Sequence, residues 1–154
     1  MAAALRSNPF FVNLSQNVEK KIVTPHHNIL EATRPDILEA LKRLEAISVL
    51  QKDWDSYGGE APAGAAIFAA RKFIADLDRI QKAAPFFVAP IPDGGIQMEW
   101  QGRAGALEVE IAPTGDSFNF LRIIGKATAN RQSEEKHGLS AYQILEQIDS
   151  VAHE

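Results

Sequence analysis

Acidic, aromatic and glycine residues crowd most densely at Asp53-Trp54-Asp55-Ser56-Tyr57-Gly58-Gly59. Two carboxylates flanking an indole can do general acid/base work or hold a cation, provided a second titratable group stands beside them. None follows in sequence: the four histidines are His26, His27, His137 and His153, and they lack the helical H-E-x-x-H spacing of a metal site. A structural assignment competes. Asp53 or Asp55 accepts backbone N–H bonds within the turn, Trp54 and Tyr57 close one end of a core, and the glycines take positive φ before the next helix. Asp93-Gly94-Gly95 is the second candidate, because consecutive glycine N–H groups can cradle an anion. It has no Walker lysine, no third glycine at dinucleotide spacing, and leads into an alternating pattern, so a tight hairpin turn accounts for it better.

The third candidate is the pair of alternating runs from Ile96 to Trp100 and from Leu107 to Ile111. If the turn at Gly102 to Gly105 is symmetric, Glu99 lies opposite Glu108 and Gln97 opposite Glu110 on one polar sheet face. Like charges so placed are destabilising. Either water, salt or neighbouring basic residues offset them, or Glu99, Glu108 and Glu110 receive a divalent cation or a basic partner. Ser48, Ser56 and Ser140 lack the G-x-S-x-G elbow of a hydrolase nucleophile.

These residues belong to a chain of 154 residues, 45% hydrophobic and 23% charged, which suits one domain with a substantial core. A net charge of -4 and a pI near 5.6 argue against nucleic acid as partner, since the summed field repels a polyanion. The absence of cysteine excludes a disulfide framework, a thiolate zinc site and a Cys nucleophile. No cofactor is implied. Met1 to Phe10 lack the apolar core of a signal peptide, and no run approaches the roughly 18 apolar residues of a membrane span, so the expectation is a cytoplasmic protein that does not enter the membrane.

The elements that must position the candidates follow from periodicity. Residues 1–33 form an N-terminal arm in which Phe10 to Leu14 and Lys20 to Thr24 have strand character; residues 34–154 form a single α+β domain. Thr33 is the expected cap of a helix with Pro35 in its first turn, carrying an apolar stripe at Ile37, Leu38, Leu41, Leu44, Ile47 and Leu50. A second, Ala-rich helix opens at Pro62 and runs to Ile80, antiparallel to the first. From Pro85 the period becomes two: strands at Phe86 to Ala89, Ile96 to Trp100, Leu107 to Ile111 and Phe118 to Ile124. The expected fold is this helix pair packed on a three- to four-stranded antiparallel β-meander. A polar loop from Lys126 to His137 and a short C-terminal helix from Ser140 to Ile148 complete it.

Trp54-Asp55-Ser56-Tyr57-Gly58, together with Pro92-Asp93-Gly94-Gly95-Ile96-Gln97-Met98-Glu99-Trp100 and Leu107-Glu108-Val109-Glu110-Ile111, resembles an uncharacterised family of small bacterial proteins. Their pattern is a W-D-x-Y-G loop, a P-D-G-G-I-x-x-E-W hairpin and an L-E-x-E-I strand, covering here about residues 38–124. Gly59-Glu60 stands where that pattern has one small residue. The resemblance implies the α+β order and brings no activity with it.

The leading functional expectation is a non-enzymatic interaction protein that binds another protein: an adaptor, or an antitoxin-like or immunity-like factor of toxin–antitoxin or phage-defence type. Trp54, Asp55, Tyr57, Asp93, Glu99 and Trp100 are its candidate binding residues, and Glu99, Glu108 and Glu110 its candidate metal ligands. The second expectation is a small-ligand or divalent-metal-dependent enzyme with a cleft between the Trp54 to Gly59 loop and the Asp93 to Gly95 turn. The third is a homodimer joined through an exposed sheet edge.

Overall fold

The computed structural model describes residues 33–125 and 130–152; the strand expectations at Phe10 to Leu14 and Lys20 to Thr24 lie outside them. Contacts gather Ala32–Glu154 into one compact unit. Helix α1 (Pro35–Ser48) buries Ile37, Ala40, Leu44 and Ile47 along one stripe, the three- and four-residue spacing that turns side chains to one side of a helix. Pro35 sits in its first turn, where a missing N–H leaves no bond unmade. The cap differs from expectation: Arg34 rather than Thr33 is the N-cap, without a side-chain cap bond. Its guanidinium instead donates to the Lys82 carbonyl at 2.5 Å and pairs with Asp36 and Asp78 at 3.3 and 3.5 Å. That ties the start of α1 to the end of α2 (Gly64–Arg79) and sets the two helices antiparallel.

Ala66 and Ala70 on α2 are fully buried, and their small side chains let the two helix axes approach closely. The helix begins later than Pro62: Ala63 is its N-cap, with an extended ψ of 135, and its N–H donates to the Gly94 carbonyl at 2.8 Å.

The sheet comprises β1 (Phe87–Pro90), β2 (Ile96–Gln101), β3 (Gly105–Ile111), β4 (Phe118–Ile124) and β5 (Gln132–Leu139), followed by α3 (Ala141–Ala152). It is an antiparallel meander in the order β1-β2-β3-β4-β5. Five strands replace the expected three to four, because part of the expected loop at Lys126 to His137 is strand β5. Gln-Ser-Glu-Glu-Lys-His-Gly-Leu has no apolar alternation, since this edge strand is largely exposed on both sides. Backbone pairing to β4, Arg122 against Glu134, and the Lys136 ammonium 5.8 Å from the Phe120 ring centroid hold it. A register shift between Phe118 and Phe120 bulges this pairing, where the Asn119 side-chain oxygen accepts from the Gly138 N–H. Glu134 and Lys136 also leave this edge charged, which discourages pairing with another strand.

The three helices of the described residues pack on one face. Val88, Ile96, Met98, Trp100, Leu107, Val109, Ile111, Phe118 and Phe120 point inward and join the helix stripes, including Ile144, Ile148 and Val151 of α3, in one core. At its centre Phe73 meets Trp100 edge-on with ring centroids 6.2 Å apart, and Phe118 at 5.7 Å. The Trp100 indole N–H donates to the Ala83 carbonyl at 2.9 Å, so this side chain is buried with its polar atom satisfied. No described helix is long and apolar enough to cross a membrane.

Candidate functional site

The W-D-x-Y-G loop is closed by its own polar groups. The Asp53 carboxylate accepts from the Gly58 N–H at 2.8 Å, while one Asp55 oxygen accepts from the N–H groups of both Tyr57 and Gly59 at 2.9 Å. A backbone bond from Asp53 N–H to Gly59 carbonyl at 2.7 Å shuts the base. The bonds from Tyr57 first, then Gly59, hold the Asp55 carboxyl below its ordinary pKa, because each stabilises the ionised form. Asp53 and Ser56 both take left-handed backbone angles, φ 66 and 63, which non-glycine residues hold only where surrounding structure enforces them. Trp54 is half-buried and donates its indole N–H to the Glu60 carbonyl at 3.0 Å. Tyr57 is 93% exposed.

Loop and turn do meet. Glu60 N–H donates to the Pro92 carbonyl and Ala63 N–H to the Gly94 carbonyl, both at 2.8 Å. Gly94 has φ 95, a conformation that favours glycine, and an added Cβ would make a tight contact 3.1 Å from the Ala61 carbonyl. The Asp93 carboxylate accepts from the Gly95 N–H at 2.7 Å, as in an Asx turn. What lies between the two segments is therefore a hydrogen-bonded contact, and Gly59, Gly94 and Gly95 are buried in it.

The outward sheet face is different. Glu99 pairs with Glu108 and Gln97 with Glu110 across β2 and β3, the expected register, and Glu108 and Glu110 face Leu121 and Asn119 on β4. Phe87, Ala106, Ile123 and Glu135 share this side. Among the described residues no helix covers it, and no Lys or Arg stands at its outward strand positions. Glu99 accepts from the Gln97 amide at 2.8 Å, whereas Glu108 and Glu110 have no hydrogen-bond or ion-pair partner among the described residues. Partial burial first, then the charges of Glu99 and Glu110, raise the Glu108 pKa, the sign expected for a carboxylate losing water beside like charges. Among the described residues no group of three or more His, Asp or Glu side chains is placed to hold a metal ion; Glu99, Glu108 and Glu110 share a face without converging.

Of the sequence candidates, the structure joins Trp54, Asp55 and Tyr57 in the loop, sets Asp93 in the adjoining turn, places Glu99 on the outward face, and buries Trp100 at 2% exposure beneath it. Leu121, Ile123, Glu135 and His137 beside the acidic stripe escaped the sequence reading. The run Phe118-Asn119-Phe120-Leu121-Arg122-Ile123-Ile124 gives a strand but no clean polar–apolar alternation, so its outward side is illegible. Further hollows lie elsewhere among the described residues, one of them about 410 Å³ and lined by Gln101, Gly105, Ala106, Ile123, Gly125 and Arg131. One of about 530 Å³ at the β2–β3 turn is lined by Ala83, Phe86, Trp100 and Arg103 and carries no carboxylate or nucleophile. Another of about 250 Å³ is an apolar groove under Phe68 between α2 and the β3–β4 turn.

Comparison with protein-family models, curated proteins and solved structures returned no match.

Proposed function

We propose that this is a non-enzymatic interaction protein whose outward sheet face receives a basic segment of another protein. The observation that carries the reading is the Glu99–Glu108 pair: like charges face each other directly across two strands, with Glu110 two residues along β3 and no Lys or Arg at the outward strand positions among the described residues; Arg131 lies at one end of this face beside Ala106 and Ile123, and His137 pairs with Glu135 at 3.2 Å at the other. A folded chain tolerates such an arrangement at some cost to its own stability. A partner's Lys or Arg side chains relieve it, and opposite charge on the two surfaces speeds encounter and excludes wrong partners. The adaptor, antitoxin-like and immunity-like roles all fit a face of this kind.

The W-D-x-Y-G loop supports the reading by being occupied. Its carboxylates already accept backbone N–H groups, which leaves it little capacity for acid/base chemistry.

The test is affinity capture from the protein's own host, comparing the natural chain with a variant carrying Glu99→Gln, Glu108→Gln and Glu110→Gln. A basic partner retained in stoichiometric amount by the natural chain, released by salt and lost from the variant is the expected result. Recovery of no stoichiometric partner, or equal retention by both chains, would sink the proposal.

A further inference from the structure

Two small hollows with carboxylates in their lining open on the outward face, beside the larger one at Gln101, Ala106, Ile123 and Arg131. The first, about 180 Å³, counts Glu99, Ala106, Glu108, Leu121 and Ile123 in its lining. The second, about 120 Å³, lies among Glu108, Glu110, Asn119, Leu121, Glu135 and His137. Both are below the roughly 300 Å³ at which pockets begin to take drug-sized ligands; their scale is that of single side chains. Each combines carboxylate with apolar surface, which suits a long basic side chain: the methylene stem covers Leu121 and its neighbours while the head meets the carboxylates.

Their placement carries more than their size. Glu108 and Leu121 line both hollows. The first extends from them toward Ala106 and Ile123, the second toward Glu110 and Asn119, which are paired neighbours two residues away along β3 and β4. Two strand residues rise roughly 6–7 Å, the spacing between alternate side chains of an extended segment.

We infer that the outward face docks an extended basic segment running along β3 and β4, with two arginines at positions i and i+2, one seated in each hollow. Arginine fits better than lysine because a planar guanidinium engages two carboxylates at once, and Glu99 with Glu108 supplies two at the first hollow. Glu108 is shared and bridges the two heads. This rests on the proposed basic-partner reading and adds to it the residue type and the spacing.

The experiment follows the amide resonances of the full, isotope-labelled chain by NMR during titration with short capped peptides at low salt. The central comparison is Ser-Arg-Val-Arg-Ser against Ser-Arg-Arg-Val-Ser, which have the same composition and charge and differ only in arginine spacing. The expected result is movement of Ala106, Glu108, Glu110, Leu121 and Ile123 amides, with the alternating peptide binding about threefold tighter, as one exposed ion pair can supply. Glu108→Gln should remove that preference, and replacing both arginines by citrulline should abolish binding. Equal affinity of the two arginine peptides, with shifts confined to this face, would overturn the i, i+2 seating and leave the basic-partner reading standing. No shift on this face with either peptide would overturn both.

Discussion

Asp53 and Asp55 on the loop and Glu99, Glu108 and Glu110 on the sheet are all carboxylates at or near the surface, yet the surroundings of Asp55 and of Glu108 push these two in opposite directions. Backbone N–H groups surround Asp55 and lower its pKa. Partial burial and other carboxylates surround Glu108 and raise its own. The loop is therefore a joint whose acids stabilise the fold, and the sheet face is a surface whose acids strain it slightly. The same side-chain chemistry is satisfied within the fold in one place and left without a partner among the described residues in the other, according to what stands within hydrogen-bond reach.

The largest test of this contrast concerns the two tryptophans. Trp100→Ala, beneath the sheet face, should destabilise by about 3–5 kcal/mol, the usual result of emptying a large aromatic core site. Trp54→Ala, half-buried in the loop, should cost only about 1–2 kcal/mol, from one hydrogen bond and part of an indole's burial. Urea denaturation of both variants measures the difference, and equal costs would show the loop to be as much core as the sheet. Gly94→Ala comes next at about 1–2 kcal/mol, the strain of an L side chain at positive φ. Because the loop–turn contact passes through this residue, its thermal unfolding should be the measurement most sensitive to the joint.

Opposite pKa shifts predict opposite pH behaviour. A lowered folded pKa means that Asp55 contributes stability above its unfolded value, lost as pH falls through the folded one. Asp55→Asn should therefore be less stable than the natural chain at neutral pH, with the gap closing in acid. A raised folded pKa means that Glu108 stabilises only while protonated and opposes folding once pH rises through its folded value. Glu108→Gln should melt about one to two degrees higher at neutral pH, a fraction of a kcal/mol spread over a domain of this size, and the gain should vanish in acid where both side chains are neutral. Calorimetric scans across pH would break the comparison if both gaps had the same sign. The smallest effect belongs to Tyr57→Ala: at 93% exposure it should leave stability within about 0.5 kcal/mol, the usual range for surface changes. It should also leave retention of a basic partner unchanged, so loss of that partner would move the recognition surface from the sheet to the loop.

Much of this was legible from residue order. The period of the apolar residues in Ile37 to Ile47 and in Ile96 to Ile111 assigns helix and strand, because one face of each element must leave water. The Glu99–Glu108 register follows from a symmetric turn at Gly102 to Gly105. Strand β5 was not legible, since an edge strand exposed on both sides imposes no pattern on its side chains. Arg34 was not legible as the residue that ties α1 to α2, because its partners at Asp78 and the Lys82 carbonyl are remote in sequence.

The sequence by itself determined which residues are apolar, at what period, and where glycine and proline break the chain; these are local constraints, and they sufficed for the α+β order and for the side of each central strand on which carboxylates stand. Tertiary structure alone decided which acids find partners. Asp55 lies within reach of two backbone N–H groups because the loop folds over it, while Glu108 and Glu110 face outward because the described helices dock on the other side. Their difference is one of distance and exposure, which no residue carries until the chain has closed around it.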